Sequence, residues 1–111
     1  MLEKRVKNIN TLLQKLIIEL EKDIRVDQVI LFGSYSRGTE RDYSDIDVAV
    51  VSPDFEGGTE KDYLFVGLIA LRLNPLLEII PYRSEDFAHH TIGDFIDEIV
   101  KTGRMIYQRA A

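Results

Sequence analysis

The chain reads GSYSRG at residues 33–38 and, after five further residues, SDIDVAVV at residues 44–51. An apolar run at residues 29–32 precedes the first motif, has the length and β-branched content of a buried strand, and ends at Gly33. Glycine lets the backbone approach a bulky anion, and the small polar residues after it can present amide N–H groups and a hydroxyl to phosphate oxygens. The first motif therefore predicts a phosphate-binding loop that begins at Gly33 and Ser34.

The second motif begins with two carboxylates. Residues 46–51 have the composition of a strand, and side chains two residues apart point to the same face, so Asp45 and Asp47 are predicted to converge. Two like charges that close are unfavourable unless a cation lies between them. Mg²⁺ takes oxygen ligands and also binds phosphate oxygens. The pair therefore predicts a Mg²⁺ site next to the phosphate-binding loop.

The order and spacing of these motifs, Gly33-Ser34 followed after ten residues by Asp45-Ile46-Asp47, resemble the signature of the DNA-polymerase-β-like nucleotidyltransferase superfamily. Arg37-Gly38 in the loop, Ser44 before the first aspartate and the short chain are most similar to the minimal nucleotidyltransferase (MNT) proteins, which are often encoded beside a helical HEPN protein. The resemblance implies an α/β fold with a small mixed β-sheet packed by helices. It also implies a single minimal nucleotidyltransferase domain over residues 1–111.

A third carboxylate is also implied, because the family places one on a later strand that ends in a proline-containing turn. Glu78 fits that position within LLEIIPY at residues 76–82, although the family more often has aspartate there. It is the only charge in a run that otherwise looks fully buried, and an ionised group is rarely buried without a partner or a metal. We therefore predict that Glu78 is a metal ligand or the base for an attacking hydroxyl. The alternative is an edge-strand carboxylate that faces water.

The motif residues together predict nucleotidyl transfer. Gly33 and Ser34 would hold the β- and γ-phosphates of a nucleoside triphosphate. Arg37 would contact the triphosphate, where a guanidinium can bind bidentately, or would be a simple surface cation. The α-phosphorus is then open to in-line attack by an acceptor hydroxyl, and pyrophosphate leaves. The predicted Mg²⁺ ligands are Asp45, Asp47 and Glu78.

Resemblance to the MNT group implies the acceptor and the partner. It implies a HEPN toxin whose tyrosine is adenylylated, with the MNT protein as the antitoxin and ATP, or another nucleoside triphosphate, as the donor. Two other functions stay open: a non-catalytic, nucleotide-binding antitoxin that neutralises its partner by contact, and a small-molecule adenylyltransferase like the aminoglycoside-modifying relatives. The three carboxylates favour an enzyme over a pure binding module.

Composition indicates a small cytoplasmic domain. Asp and Glu number 19 against 14 Lys and Arg, and the formal net charge of −5 argues against broad affinity for nucleic-acid backbones. The chain has no cysteine, so neither disulfides nor thiolate zinc sites are expected. The charged start of the chain is not followed by an apolar signal region, and no apolar stretch approaches membrane-spanning length. Neither secretion nor membrane association is therefore expected.

Two helices complete the prediction. The first is amphipathic, because apolar residues recur at spacings of three and four. They are Leu2, Val6, Ile9, Leu13, Leu16 and Leu20. The second, at residues 60–73, is apolar almost all round, so part of it is expected to contact another chain, through Leu64 and Ile69 as candidates. This predicts a homo- or hetero-oligomer, and the alternative is a central core helix under the sheet.

Overall fold

The structure, a computed structural model, describes residues 8–110. Leu2 and Val6 of the predicted first helix lie outside the described residues. Helices and strands alternate along most of the described chain. They are α1 (Ile9–Glu21), β1 (Gln28–Phe32), α2 (Ser34–Arg37), β2 (Ile46–Ser52), α3 (Glu60–Leu73), β3 (Leu77–Arg83), α4 (Ser84–Ala88), α5 (Phe95–Thr102) and β4 (Arg104–Gln108).

The four strands form one mixed sheet in the order β3-β2-β1-β4. β1 pairs antiparallel with both β2 and β4, whereas β2 and β3 are parallel and are joined by the α3 crossover. Just after β4, the backbone N–H of Arg109 donates to the Asp27 carbonyl oxygen at 2.8 Å, next to the start of β1. The prediction of an α/β fold with a small mixed sheet is confirmed.

Helices pack on both faces of the sheet because the central strands are apolar on both sides. α1 and α3 pack on one face, where their buried residues contact Val29, Val48 and Val50. Successive residues of a strand point to opposite faces, so Ile30 and Ala49 face the other way. Those residues form a second, smaller cluster with Phe87 of α4 and Ile99 of α5, together with Val51.

A buried carboxylate fixes the loop that leads into α3. The Asp62 side chain is 4% exposed and accepts hydrogen bonds from the backbone N–H groups of Glu56 at 2.9 Å, Gly58 at 2.8 Å and Thr59 at 3.3 Å. In return, Thr59 Oγ1 accepts a hydrogen bond from the Asp62 N–H at 3.4 Å, which completes a capping box. Asp62 therefore has a structural role, and α3 begins at Glu60, as the sequence predicted.

Helix α3 is buried on one face only. Val66, Ile69 and Ala70 pack against the sheet and α1, and Ile69 is only 3% exposed. The prediction that Ile69 contacts another chain is therefore wrong, because this side chain belongs to the core. Leu64 lies on the opposite face and is 64% exposed. In the part of the chain that the structure describes, no helix is both long and apolar enough to cross a membrane.

Candidate active site

Three residues at one end of the sheet form a row across neighbouring strands. In the strand register, Phe32 of β1 lies opposite Asp47 of β2, and Asp47 lies beside Glu78 of β3. Residues that are directly paired across a sheet share a face, and Asp47 alternates with Ile46 and Val48, which point into the core of the α1 and α3 face. The two carboxylates therefore lie together on the face that α4 and α5 only partly cover.

The loop after β1 fits closely over the Asp47 carboxylate. Gly33 has φ of +75°, and a β-carbon built at this position would lie 2.3 Å from Asp47 Oδ2. A side chain here would meet both an unfavourable backbone conformation and a steric clash, so the position requires glycine. Ser34 follows at once as the first residue of α2. The predicted phosphate loop and the predicted acidic site are therefore adjacent.

Burial and neighbouring negative charges both act on Asp47. Burial raises the pKa of Asp47 to about 6, and the charge of Glu78, a side-chain hydrogen bond with Glu78 and the charge of Asp45 act in the same direction. The positive charge of Arg37 works against this shift in pKa. Asp47 and Glu78 thus share a site that favours a proton or another cation.

The other predicted residues surround Asp47 at longer range. Asp45 immediately precedes β2 and is exposed, and Arg37 is the exposed last residue of α2. Both influence the pKa of Asp47, with opposite signs. The structure therefore places Gly33 and Glu78 directly beside Asp47, and it leaves Asp45 and Arg37 exposed at the border of the site, where their charges affect the pKa of Asp47.

The carboxylate oxygens of this site are suitable ligands for a divalent cation, although they are not arranged in a coordination geometry in this structure. Across residues 8–110, no three side chains of His, Cys, Asp or Glu are arranged to hold a metal ion. The carboxylates around Asp47 offer only oxygen ligands, which Mg²⁺ prefers. A bound cation would offset both the burial of the Asp47 charge and its repulsion by Glu78 and Asp45, which together raise the pKa of Asp47. The assignment of Asp45, Asp47 and Glu78 as Mg²⁺ ligands remains a prediction.

The environment of Glu78 differs from the one expected. A buried charge was predicted from the apolar residues around it, yet the Glu78 side chain is exposed. β3 is an edge strand, and the face that carries Glu78 is open at this end of the sheet. The argument that Glu78 binds a metal because its charge is buried is therefore wrong. Its position beside Asp47 in the sheet nevertheless supports a role as a metal ligand or general base.

Sequence reasoning missed the contacts between the loop and α5. Ser36 Oγ donates a hydrogen bond to the Thr102 carbonyl oxygen at 3.0 Å, which ties α2 to the end of α5. Phe95 at the start of α5 packs edge to face against Phe32, with ring centroids 5.8 Å apart and ring planes at 84°. Ser36 lies inside the motif and could have been suspected, whereas no local signal marks Phe95.

A sheet of this order with a glycine loop over paired carboxylates is the architecture expected of a nucleotidyltransferase, and comparison with known proteins agrees. Residues 14–111 match the family described as Polymerase beta, Nucleotidyltransferase. The chain belongs to this polymerase-β nucleotidyltransferase family. It is 33% identical over 98 residues to a candidate protein adenylyltransferase of Methanocaldococcus jannaschii, an alignment that covers 80% of this chain and 93% of the relative.

Solved structures share the fold at lower sequence identity. One is a toxin–antitoxin crystal structure with AMP-PNP, which is similar with a TM-score of 0.65 and 22% identity over 91% of this chain and 74% of the other. Another is a Shewanella oneidensis complex of a tri-AMPylated HEPN toxin with an MNT antitoxin, with a TM-score of 0.56 and 20% identity over the same shares of the two chains. The predicted polymerase-β-like fold is confirmed, and the protein is an enzyme of the nucleotidyltransferase class.

Proposed function

We propose that this nucleotidyltransferase transfers AMP from ATP to a tyrosine hydroxyl of a HEPN toxin in a Mg²⁺-dependent reaction, and so acts as an antitoxin. The observation that carries the proposal is the close fit of Gly33 over Asp47, whose pKa is raised to about 6 beside Glu78. A phosphate chain laid along the loop would reach carboxylates that already favour a cation. Action on such a toxin also implies a cytoplasmic location.

Each residue has a defined task in this reaction. The backbone at Gly33 and Ser34 binds the β- and γ-phosphates, and the Arg37 guanidinium contacts the triphosphate and balances its charge. Asp45, Asp47 and Glu78 would hold Mg²⁺, which when bound neutralises charge on the phosphates. With the triphosphate fixed in this way, the α-phosphorus faces the open side of the carboxylate row.

The transfer itself conserves atoms and charge. The acceptor oxygen forms a bond to the α-phosphorus, and the bond from that phosphorus to the bridging oxygen of the β-phosphate breaks, which releases pyrophosphate. The proton of the acceptor hydroxyl passes to a carboxylate oxygen of Glu78. An exposed side chain suits that step, because the acceptor belongs to another molecule and must approach from solvent.

The choice of acceptor is supported by relatives of the same fold. The Methanocaldococcus jannaschii relative is named for adenylyl transfer to protein, and the Shewanella oneidensis complex pairs an AMPylated HEPN toxin with an MNT antitoxin. A transferase for a small molecule would use the same carboxylates but would need its own acceptor pocket. A contact-only antitoxin would need no raised pKa at Asp47.

The test combines ATP labelled at the α-phosphate, Mg²⁺ and the protein encoded by the neighbouring gene. We expect label on a tyrosine of that protein, and we expect Asp45→Asn with Asp47→Asn to abolish it. In the absence of nucleotide, Mg²⁺ should raise the melting temperature of the wild-type protein and leave that of the double variant unchanged, because binding to the folded state alone is stabilising.

Asp23→Asn is the matched control, because Asp23 is an exposed aspartate outside the site. It should keep both the transfer and the Mg²⁺ effect. Label on the neighbouring protein at the wild-type rate in the double variant would refute the metal assignment. Inhibition of the toxin by the double variant, without label, would identify a contact-only antitoxin.

A further inference from the structure

Helix α3 has a second apolar face that points away from the sheet. Leu64, Leu68 and Leu71 recur at spacings of four and three, so they form one stripe, and they are 64%, 55% and 67% exposed. An ordinary surface helix carries polar residues opposite its buried stripe. Here the centre of the outer face is leucine.

A glycine lies in the middle of this outer face. Gly67 is exposed, has helical backbone geometry, and a β-carbon built on it would have no atom within 4 Å among the described residues. Glycine in a helix interior is less favourable than alanine, and nothing in the described fold needs the space that it leaves. The missing side chain would let another helix approach α3 closely.

Grooves run along both sides of the leucine stripe. One, of about 520 Å³, lies between α3 and β3 and is lined in part by Tyr63, Gly67 and Leu71. The other, of about 380 Å³, is lined in part by Phe65 and Leu68. A ridge of side chains between two grooves is the surface that a second helix needs for packing by ridges into grooves.

Charges at the two ends of the stripe indicate which helix fits. Glu60 stands at the start of α3 and Arg72 near its end, and neither side chain makes a hydrogen bond or an ion pair among residues 8–110. They lie symmetrically about Val66, six positions before and six after it. Leu64 and Leu68 are also symmetric about Val66. An antiparallel copy of α3 in this register would pair Glu60 with Arg72 twice and each Leu64 with a Leu68.

We propose that this face binds a second copy of the same chain, with the two α3 helices antiparallel about a two-fold axis that crosses the outer face at the level of Val66 along the helix. An isologous interface must be complementary to itself. In this register Leu64 faces Leu68 and Glu60 faces Arg72, while the side chain of Leu71 lies against the aliphatic stem of Lys61.

Asp47 lies on the opposite face of the sheet from α3, whereas Glu78 on the edge strand also lines the groove between α3 and β3, so the interface borders the active site at that edge. The proposal rests on the side chains of α3 and does not depend on the proposed reaction.

Molar mass in solution tests the interface first. Light scattering should give twice the chain mass for the wild-type protein, and Leu64→Glu or Leu68→Glu should give the chain mass with an unchanged circular dichroism spectrum. Ile92→Glu is the control, because Ile92 is 87% exposed and lies far from α3 in the sequence. A wild-type monomer at all concentrations, or a dimer that both leucine variants leave intact, would overturn the proposal.

Charge reversal tests the register and distinguishes a second copy from a different protein. Glu60→Lys and Arg72→Glu should each weaken the dimer, because each brings like charges together at both ends. The double variant should restore it, since the same pairs form with reversed sign. Both positions are exposed, so these variants test the proposal even if a leucine variant does not fold. Failure of the double variant to recover the dimer would contradict the antiparallel register.

Disulfide trapping gives a geometric test, because the chain has no cysteine of its own. Lys61 and Leu71 are again symmetric about Val66, so a mixture of Lys61→Cys and Leu71→Cys proteins should cross-link under oxidation. Lys61→Cys alone should not, because two copies of residue 61 would lie about 15 Å apart along the helix, too far for a disulfide. Cross-linking of Lys61→Cys alone, or no cross-linking of the mixture, would refute the arrangement.

Discussion

At Gly33, the Asp47 carboxylate occupies the place where a side chain would begin, and φ is +75°. Gly33→Ala should therefore lower the free energy of unfolding by roughly 1–3 kcal/mol, the cost of a residue held in a sparsely populated backbone region. It should also abolish nucleotide binding, because the loop must move off Asp47 to make room. Urea denaturation and titration calorimetry with ATP measure the two effects separately.

Gly93→Ala is the matched control for that variant. Gly93 also has a positive φ, +90°, but a β-carbon there would meet no atom within 4 Å among the described residues. Gly93→Ala should lower the free energy of unfolding because of its positive φ, but it should still bind ATP. Equal ATP affinity in the two variants would show that the fit between Gly33 and Asp47 is not part of the nucleotide site.

The pKa of Asp47 gives a pH dependence of stability. Its value in the folded chain is about 6 and its ordinary value is 3.8, so the folded state binds the proton more tightly than the unfolded state. This contribution is therefore fully present below pH 3.8 and is lost as the pH rises through about 6. Asp47→Asn should be more stable than wild type at pH 8, and the difference should shrink as the pH falls below 6.

Urea denaturation of both proteins across this pH range measures the difference directly. Groups that do not interact with Asp47 affect both proteins equally, so the difference between them reports Asp47 and its interactions with Asp45 and Glu78. A constant difference between Asp47→Asn and wild type at all these pH values would mean that Asp47 titrates normally in the folded chain.

Glu78→Gln separates the binding of nucleotide from its reaction. Glu78 is exposed on an edge strand, so the amide should fold normally, and phosphate binding is assigned to other residues. We expect ATP affinity to stay close to wild type and the rate of AMP transfer to fall by about 10²-fold or more, the usual contribution of a general base. Calorimetry and a rate assay on the same sample decide the question. Loss of ATP affinity without a separate loss of rate would make Glu78 a structural residue.

Among the elements, α3 depends on a single buried carboxylate at its start. Asp62→Ala would leave the N–H groups of Glu56, Gly58 and Thr59 without their acceptor in a partly buried loop. We expect a loss of about 2–3 kcal/mol in the free energy of unfolding, because it removes a helix cap and leaves buried donors unpaired. Chemical denaturation measures this loss. Asp23→Ala, at an exposed aspartate, should cost little, and a similar small cost for Asp62→Ala would contradict this role.

The same helix shows what helical periodicity could not predict, namely which of its faces is buried. Its sequence is apolar almost all round, so helical periodicity gave no basis for choosing between Leu64 and Ile69. The sheet and α1 bury Ile69 and leave Leu64 exposed, which depends on how α3 is rotated in the assembled fold. For the strand that contains Glu78, the apolar run predicted burial because the order of strands in a sheet is not visible in a local pattern.

At the scale of the whole molecule, the sequence predicted the contacts between elements that follow one another along the chain. Gly33 directly follows β1, and Asp47 lies on β2 opposite Phe32, so their proximity follows from the antiparallel pairing of these two consecutive strands. The mixed sheet follows from the order of elements. The exposure of Glu78 and the contact of Phe95 with Phe32 depend on residues far apart in sequence. Such contacts are set by packing, which a local motif does not encode.

The pairing of β1 with β4 has a consequence for synthesis of the protein. β1 is the first strand of the described chain and β4 is the last, and the backbone N–H of Arg109 extends their pairing by its hydrogen bond to the Asp27 carbonyl oxygen. The nucleotide-binding loop is therefore translated early. One edge of β1, however, has unpaired backbone N–H and C=O groups until β4 has been translated. An unpaired edge of this kind is prone to join strands of other molecules, so incomplete chains stalled before β4 should aggregate where finished chains do not.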